Sequence, residues 1–334
     1  MSALPANVTP APSAIRRGVV AAAVCGSLLL VGCWSIIGVL PWPSAAFFYG
    51  IPAVSDESPE AAQKLLRVND WNINEASGMA LSTQYPGCIW LHNDSGDKPR
   101  LFLVAPGGLT TAVVTLTGIA ATDWEDMCAF QFEGRTWLVI ADTGDNAGNR
   151  GNGRPGCRLW IFPEPQIELP AEGAQPITHS LAPSVEVWFR WPGGPRDCES
   201  VAVDAASKLI LLCTKAKSSD AALYQLPLDL QTKTQVRTAE LLHKLPVPYA
   251  TAMDLSPDGS RLAIINPLSG LLIEKSSNES WATAAAKPPT ILTLPPRPQG
   301  ETACFDSDGK SLLVGSEGRW QDIWKVKLPA HGQP

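Results

Sequence analysis

The sequence contains none of the short motifs that mark the commonest catalytic folds. It has no Gly-x-Ser-x-Gly turn, no Cys-x-x-Cys pair and no His-x-x-x-His spacing, and its four histidines are scattered along the chain. A Gly-rich phosphate loop leading into a helix is also missing. These absences argue against a Ser-His-Asp hydrolase, a thiol redox centre, a helical zinc site and a P-loop nucleotide site.

Asp and Glu are absent from residues 1–50, although they outnumber Lys and Arg over the whole chain. The totals are 32 acidic and 26 basic residues, which give a net charge of −6. Nucleic-acid binding depends on neutralising phosphates with basic side chains. We therefore expect no nucleic-acid partner, and the acidic remainder of the chain suits cations or cationic partners.

A long uncharged stretch follows the first residues of the chain. Residues 18–40 have no charged side chain, and these 23 residues exceed the roughly 20 that cross a hydrocarbon core. Arg16 and Arg17 stand before them, and positive flanks stay in the cytoplasm, so everything after the span is expected outside the cytoplasm. The predicted segments are a cytoplasmic tail over 1–17, a transmembrane signal-anchor over 18–40, a stalk rich in Pro, Ser and Ala over 41–61, and one domain over 62–334.

A lipoprotein signal is the alternative interpretation of this stretch. Leu30, Val31, Gly32 and Cys33 resemble the lipobox of bacterial lipoproteins, which makes Cys33 a lipidation candidate. The residues after Cys33 remain apolar, whereas lipoproteins usually become polar there, and this favours the signal-anchor. Either interpretation keeps the domain at the cell membrane, on its extracytoplasmic side.

A pattern of one acidic residue followed by two apolar strands recurs along the rest of the chain. The repeats are anchored at Glu75, Glu125, Glu199, Thr251 and Glu301, with intervals of 50, 74, 52 and 50 residues. A propeller blade of four strands takes roughly 40–50 residues, so each interval corresponds to one blade. The 27 Gly and 30 Pro residues fit many short strands joined by turns. The sequence therefore predicts an all-β fold, a single β-propeller with five blades.

The long interval and the two ends of the domain decide the number of blades. A Gly- and Asn-rich insertion over residues 144–156 accounts for the extra length, whereas a degenerate blade over 157–196 would give six blades. The last repeat ends with a third strand at 322–326, so the residues from Leu65 to Val68 are left to supply its fourth strand. Closing the ring in this way hides the edges of the sheets. A β-sandwich is the alternative fold, and it does not explain the repeat period.

The acidic anchors carry the candidate chemistry, because equivalent positions in a propeller lie at the same height. We expect their carboxylates to converge on the channel or on one mouth, together with acids from the loops after the second strands. Converging carboxylates must protonate, pair with cations or bind a metal, and Ca²⁺ accepts roughly six to eight oxygen ligands. The structural alternative is that they accept N–H groups of the next blade or form turns. The ligand or metal candidates are Glu75, Asp94, Asp97, Asp123, Glu125, Asp126, Asp142, Asp145, Asn146, Asp197, Glu199 and Glu301, and Arg158 is the candidate for contact with an anionic ligand.

Five separated blocks of the sequence carry a resemblance to known proteins, and they cover residues 92–97, 123–126, 141–146, 196–200 and 299–301. Together they resemble a family of uncharacterised exported bacterial β-propeller proteins, which is distantly similar to phytase-like and esterase-like propellers. Thr251 departs from the repeat pattern, because the other anchors are Glu. Phytase-like propellers hold calcium bridged to phosphate at such a mouth, so the resemblance implies calcium and a hydrolase activity.

Two functions follow from these patterns. The first is a membrane-tethered extracytoplasmic propeller that binds a small molecule or a protein ligand. It is favoured because no nucleophile or general base can be singled out. The second is a calcium-dependent phytase-like or esterase-like hydrolase with an acidic site at the propeller mouth.

Six cysteines follow the N-terminal stretch, an even number that permits disulfides outside the cytoplasm. Cys128 and Cys304 occupy matching repeat positions, where we expect small buried apolar side chains. At most one or two disulfides are predicted.

Overall fold

The fold is known from a computed structural model that describes residues 62–151, 156–171, 173–217, 220–231 and 236–332. The described chain contains 22 strands, β1 to β22, and one short helix, α1. The predicted signal-anchor, the stalk and Cys33 lie outside the described residues. Within them, no helix has both the length and the apolar character needed to span a membrane.

Successive stretches of the chain form five sheets, which are the blades of a propeller. The first strand of each blade is the inner one, because the first strands of neighbouring blades contact each other around a closed circle. Blade 1 consists of β2 (Ala76–Leu81), β3 (Ile89–Asn93), β4 (Arg100–Val104) and β5 (Thr110–Leu116), and blade 2 consists of β6 (Trp124–Phe132), β7 (Arg135–Asp142), β8 (Cys157–Pro163) and β10 (Val185–Arg190).

The other three blades follow the same order from the inner strand outwards. Blade 3 consists of β11 (Cys198–Asp204), β12 (Leu209–Thr214), β13 (Ala222–Pro227) and β15 (Glu240–Lys244), and blade 4 of β16 (Ala252–Leu255), β17 (Arg261–Ile265), β18 (Ser269–Glu274) and β19 (Thr290–Thr293). Blade 5 consists of β20 (Thr302–Phe305), β21 (Ser311–Gly315), β22 (Asp322–Lys327) and β1 (Ala62–Arg67). Helix α1 (Trp281–Ala285) lies between β18 and β19, and Ser280 caps its N-terminus by accepting the N–H of Thr283.

Strands from both ends of the described chain close the ring. β1 pairs antiparallel with β22, from Ala62 opposite Val326 to Arg67 opposite Asp322. The predicted fourth strand of the last blade is therefore confirmed. The observed fold is the predicted all-β propeller with five blades.

The alternative of six blades is wrong, because the long interval holds the third and fourth strands of blade 2 and no further sheet. The extra length lies partly in the predicted loop between β7 and β8 and partly between β8 and β10. The second segment contains β9 (Ile177–Leu181), which pairs in parallel with β5 at the edge of blade 1. In the same manner, β14 (Arg237–Thr238) pairs in parallel with β10 of blade 2.

The hydrophobic core consists of five clusters, one between each pair of neighbouring blades. This division arises because a blade inside the ring buries both faces of its sheet against other blades. Cys128 and Cys304 are each 1% exposed and lie within these clusters, as predicted. All six cysteines of the described residues are buried free thiols.

Two buried carboxylates connect the inner strands. Asp126 on β6 accepts the backbone N–H groups of Val201 and Met253 at 2.8 and 3.1 Å, and Asp254 accepts the N–H of Phe305 at 2.7 Å. These bonds join blades 2, 3, 4 and 5, which is the structural role foreseen for acids near the starts of blades. Burial raises the pKa of Asp126 well above its usual range, because a buried negative charge is unfavourable.

Candidate functional site

All five inner strands begin at one end of the channel, and a repeated backbone hydrogen bond there identifies the equivalent positions. A residue that follows the second strand donates its N–H to a carbonyl that precedes the inner strand: Asp94 to Glu75, Thr143 to Asp123, Lys215 to Asp197 and Glu317 to Gln299, at 2.8, 3.1, 3.0 and 2.9 Å. Glu75 is therefore equivalent to Asp123 and Asp197. The alignment of Glu75 with Glu125 made from the sequence is wrong by two residues.

The carboxylates at this end form two tiers. The outer tier is Glu75, Asp123 and Asp197, and the inner tier lies two residues further along the chain in blades 2, 3 and 5. Burial increases from one tier to the next, since Glu75 is exposed and Asp123 is 9% exposed, whereas Glu125 is only 2% exposed. The inner tier consists of Glu125, Glu199 and Glu301.

Glu125 and Glu199 lie where the pairing of the inner strands is irregular. The register of β6 shifts between Trp124 and Met127, and β11 shifts at the matching place, whereas β16 and β20 pair regularly. A bulge redirects the side chains of the strand that carries it. The irregularity therefore gives these two glutamates an orientation that a regular strand would not provide.

Glu125 belongs to two groups of three carboxylates. One oxygen each from Asp94, Asp123 and Glu125 lie within 4.8 Å of one another, and the same holds for Glu125, Asp197 and Glu199. Oxygens bound to one Ca²⁺ lie at most about 5 Å apart, because the Ca–O distance is roughly 2.3–2.6 Å. Each group therefore has the spacing of ligands to a single cation.

The electrostatics of these carboxylates are unfavourable for negative charge. Burial raises the pKa of Asp94 to about 6, and the nearby carboxylates add to this effect. Burial and the charge of Glu199 raise the pKa of Glu125 well above its usual range. The pKa of Glu199 is also raised by burial, which outweighs the opposite effect of Lys215. A bound cation would replace the protons that this cluster otherwise has to hold.

Sequence analysis missed two charged residues of this cluster. Burial and then the charge of Glu301 raise the pKa of Glu317 to about 9, and Lys215 forms an ion pair with Glu199. Both follow the second strand of their blade, so the rule that identified Asp94 would have found them in blades 3 and 5. The acidic mouth, as the term is used below, comprises the carboxylates of Glu75, Asp94, Asp123, Glu125, Asp197, Glu199, Glu301 and Glu317.

Two details of packing fit a cation among these carboxylates. Oε2 of Glu199 is buried and has no hydrogen-bond partner among the described residues, which calls for an explanation such as an ion. Gly144 lies against the other side of the cluster: a Cβ atom on this residue would be 1.8 Å from Oε1 of Glu125 and 2.8 Å from Cγ of Asp123. Because Gly144 has no side chain, the carboxylates of Glu125 and Asp123 can both occupy this space.

Asp142 lies beside the acidic mouth, but its carboxylate is already paired. It contacts Arg150 at 2.6 Å and Arg158 at 3.1 Å, and it accepts the N–H of Asp123 at 3.1 Å. Arg150 also donates to the carbonyl of Gly144 at 2.8 Å. Arg158, the candidate for an anionic ligand, is 8% exposed and stacks against two tryptophan rings. The ion pairs of Asp142 with Arg150 and Arg158 therefore stabilise the loop that contains Gly144.

The remaining candidates lie in the loops around the mouth. Asp145 accepts two N–H groups of its own loop, and its N–H donates to Asp197 at 2.7 Å. Asp97 pairs with Arg100 at 2.9 Å, and Asn146 is exposed. Asp145 and Asp97 therefore stabilise the conformations of their own loops, whereas Asp197 faces the cluster.

The inner strands end at the opposite end of the channel, which we call the far end. A cavity of 710 Å³ lies there, and it is lined in part by Leu81, Phe130, Leu255, Phe305 and Asp254. Its apolar walls contrast with the acidic mouth. The two groups of carboxylates with the spacing of cation ligands both belong to the mouth.

The fold and the acidic mouth together define a β-propeller with a candidate metal centre. No family model matches the chain, and no curated protein matches its sequence. One similar solved structure is a nidogen/laminin complex, with 9% identity, a TM-score of 0.41, and coverage of 75% of this chain and 74% of that chain. Another is a gluconolactonase from Xanthomonas campestris, with 10% identity, a TM-score of 0.43, and coverage of 80% and 89% respectively. We draw no functional conclusion from likenesses at this level.

Proposed function

We propose that this protein binds Ca²⁺ at the acidic mouth and uses the ion to hold a ligand there. The observation that supports this most directly is the position of Glu125, whose carboxylate is shared by two groups with the spacing of cation ligands. The ligand set contains only carboxylate oxygens, which suit hard cations. Ca²⁺ accepts irregular sets of oxygen ligands, whereas Mg²⁺ requires a near-ideal octahedron. The proposed ligands are Asp94, Asp123, Glu125, Asp197 and Glu199.

Binding is favoured over hydrolysis by the other side chains of the described chain. Burial lowers the pKa of His92 to about 4, and the other three histidines lie on β9, on β15 and after β22. The described cysteines are all buried. A calcium-dependent phytase-like or esterase-like hydrolase is the second candidate, and turnover of phosphate monoesters or aryl esters that Glu125→Gln abolishes would establish it.

The test of the cation site is a comparison of thermal melting in Ca²⁺ and in chelator. An ion that binds only the folded state adds about 2.7 kcal/mol at a hundredfold excess over its Kd. We expect wild-type protein to melt at a higher temperature in Ca²⁺, and Glu199→Gln and Glu125→Gln to lose this difference. Gly144→Ala keeps every carboxylate but displaces Glu125, so it should also lose the difference.

Glu164→Gln is the matched control for these variants. Glu164 is a buried glutamate outside the mouth, and it accepts hydrogen bonds from Ser82 and Trp90 at 2.5 and 2.9 Å. Its substitution is expected to lower the melting temperature both in Ca²⁺ and in chelator, while the difference between the two persists. Identical melting of the wild-type protein in both conditions, together with no heat of Ca²⁺ binding in calorimetry, would remove the cation site.

We further propose that the propeller is tethered to the cell membrane by residues 18–40 and lies on the extracytoplasmic side. The support is the uncharged length of this segment and the two arginines that precede it. A reporter fused after Pro334 is expected to be active only in a form that works outside the cytoplasm. Cys33→Ser distinguishes the anchors, because loss of processing indicates a lipoprotein and unchanged processing indicates a signal-anchor.

A further inference from the structure

Two exposed tryptophans contact each other on the surface of the propeller. Trp71 is 61% exposed and Trp320 is 40% exposed, and their ring centroids are 6.2 Å apart with an angle of 55° between the planes. The other large apolar side chains that are exposed in the described chain are all aliphatic. We call this pair the tryptophan platform. Exposed aromatic surface of this kind marks places where a ligand or partner binds.

The platform lies at the rim of the acidic mouth. Trp71 stands four residues before Glu75, and Trp320 stands three residues after Glu317, so the Cα atoms of each pair lie within roughly 15 Å of each other. The two loops are joined by a hydrogen bond from the N–H of Gly318 to the carbonyl of Asn74 at 3.1 Å. A short saccharide chain can therefore reach both features.

The platform is held in place before any ligand binds. The guanidinium of Arg319 lies 4.0 Å from the ring centroid of Trp71, and its Nε donates to the Trp71 carbonyl at 3.3 Å. Asn93 donates to the carbonyl of Asn72 at 2.7 Å, which fixes the loop that carries Trp71. Trp320 has a φ of 62°, a left-handed conformation that is rare for a bulky residue. Strain of this kind persists where the surroundings impose it, and it clusters at functional sites.

We infer that the ligand of the mouth is a neutral saccharide whose ring stacks on the tryptophan platform while its hydroxyl groups face the carboxylates and their cation. The face of an indole carries negative potential and attracts the polarised C–H bonds on one face of a sugar ring. Carboxylates accept hydrogen bonds from the hydroxyls at the edge of the same ring. This inference deepens the proposed function and rests on it for the contacts to the cation, but not for the stacking.

Charge excludes the other ligands that bind to tryptophan. An organic cation would have to approach Trp71 next to Arg319, which already lies against this ring. An anion would be repelled by the carboxylates of the mouth, and the positive charge of Lys215 is already paired with Glu199. A neutral ligand with one apolar face and many hydroxyl groups meets neither form of repulsion.

The experiment uses saturation-transfer NMR and calorimetry on the full chain with a panel of neutral sugars: methyl pyranosides of glucose, galactose and mannose, maltotriose and cellotriose. We expect at least one sugar to bind the wild-type protein, and Trp71→Ala and Trp320→Ala each to weaken that binding at least tenfold. Ca²⁺ binding, measured without sugar, should be unchanged in both variants. Trp324→Ala is the matched control, because Trp324 is a half-buried tryptophan on β22 with Nζ of Lys64 5.2 Å from its ring centroid, and this variant should bind sugar normally.

The two proposals fail in different ways. Sugar binding that depends on the tryptophans in a protein that does not bind Ca²⁺ would support the saccharide site and overturn the cation site. Normal Ca²⁺ binding without binding of any sugar in the panel at millimolar concentration would overturn the saccharide site alone. Sugar binding that survives Trp71→Ala and Trp320→Ala, or binding of tetramethylammonium that they abolish, would also overturn it. Phenylalanine at either position should retain part of the affinity, which separates stacking from a fault in folding.

Discussion

The turns at the far end of the channel and the acidic mouth hold carboxylates in opposite electrostatic states. In the turns, burial tends to raise the pKa values of Asp204, Asp258 and Asp308, but hydrogen bonds and neighbouring positive charges outweigh it and the values are lowered. At the acidic mouth, burial raises the pKa values of Asp94 and Glu125, and neighbouring carboxylates add to the effect. The same residue types in one fold therefore favour charge in the turns of the far end and oppose it at the mouth.

Burial contributes to this difference, because Asp258 and Asp308 are exposed, and the number of hydrogen-bond partners contributes where burial is equal. Asp204 and Glu199 are both 2% exposed. Asp204 accepts the N–H of Ser207 and Nε1 of Trp281, each at 2.9 Å. Glu199 pairs through one oxygen with Lys215, and its other oxygen has no partner among the described residues. A carboxylate whose partners are supplied by its own turn is structural, whereas one without them can bind an external cation.

The largest effect is expected from removing the arginine that braces the mouth. Arg150→Met leaves the buried Asp142 with only Arg158, and breaking such a pair costs about 3–5 kcal/mol of folding free energy. At the far end, Lys275→Met removes a contact of 3.7 Å to Asp204, which keeps its other donors, so we expect a loss of about 1 kcal/mol. Urea unfolding measures both changes. Equal losses would show that the two ends do not differ in how their charges are supported.

A second prediction uses the pH dependence of folding stability to distinguish the far end from the acidic mouth. Burial raises the pKa of Asp254 from its ordinary 3.8 to about 7 in the folded protein. Between these values the folded state binds more protons than the unfolded state, so stability falls as the pH rises. Between pH 5 and 7, the free energy of unfolding of the wild-type protein should fall by about 2–3 kcal/mol more than that of Asp254→Asn.

Urea unfolding at pH 5, 6 and 7 in Ca²⁺ provides the measurement, because the ion suppresses titration at the mouth. Glu125→Gln serves as the control from the other end: because this variant should not bind the ion, the pH dependence of its stability should be the same in Ca²⁺ and in chelator. An Asp254→Asn protein with the same pH dependence as the wild type would show that the far end does not titrate in this range.

The sequence predicted the fold well because the features that define a propeller are local. The repeat interval reports the length of a blade, and the apolar strands near Leu66 and Ile323 identify the two partners that close the ring. The insertion was only partly located, because nothing in residues 177–181 indicates pairing with a strand of another blade. Parallel pairing with β5 is a long-range contact that a local pattern does not encode.

The candidate site was predicted less completely for two physical reasons. Blades 2 and 3 each have two acidic residues that stand two positions apart, so Glu75 could be aligned with either Asp123 or Glu125 until the backbone hydrogen bonds were known. Partners are also set by the folding of loops: the sequence leaves open whether the nearby arginines pair with acids or contact an anionic ligand, and the structure shows that Arg150 and Arg158 pair with Asp142. Sequence patterns show which acids converge, and the structure shows which of them are already paired.

The smallest predicted effect tests whether Lys215 competes with the ion for Glu199. Lys215→Met removes this positive charge, which should lower the stability of the ion-free protein and tighten Ca²⁺ binding about tenfold, equivalent to about 1.4 kcal/mol. The matched control is Lys325→Met, because Lys325 pairs with Asp306 at the far end in the same manner. Calorimetric titration with Ca²⁺ should show the increase in affinity for the first variant only. If the affinity falls in Lys215→Met, the lysine positions Glu199 for the ion and does not compete with it. If both variants shift equally, the affinity depends on net charge and the distinction between the two ends does not extend to their lysines.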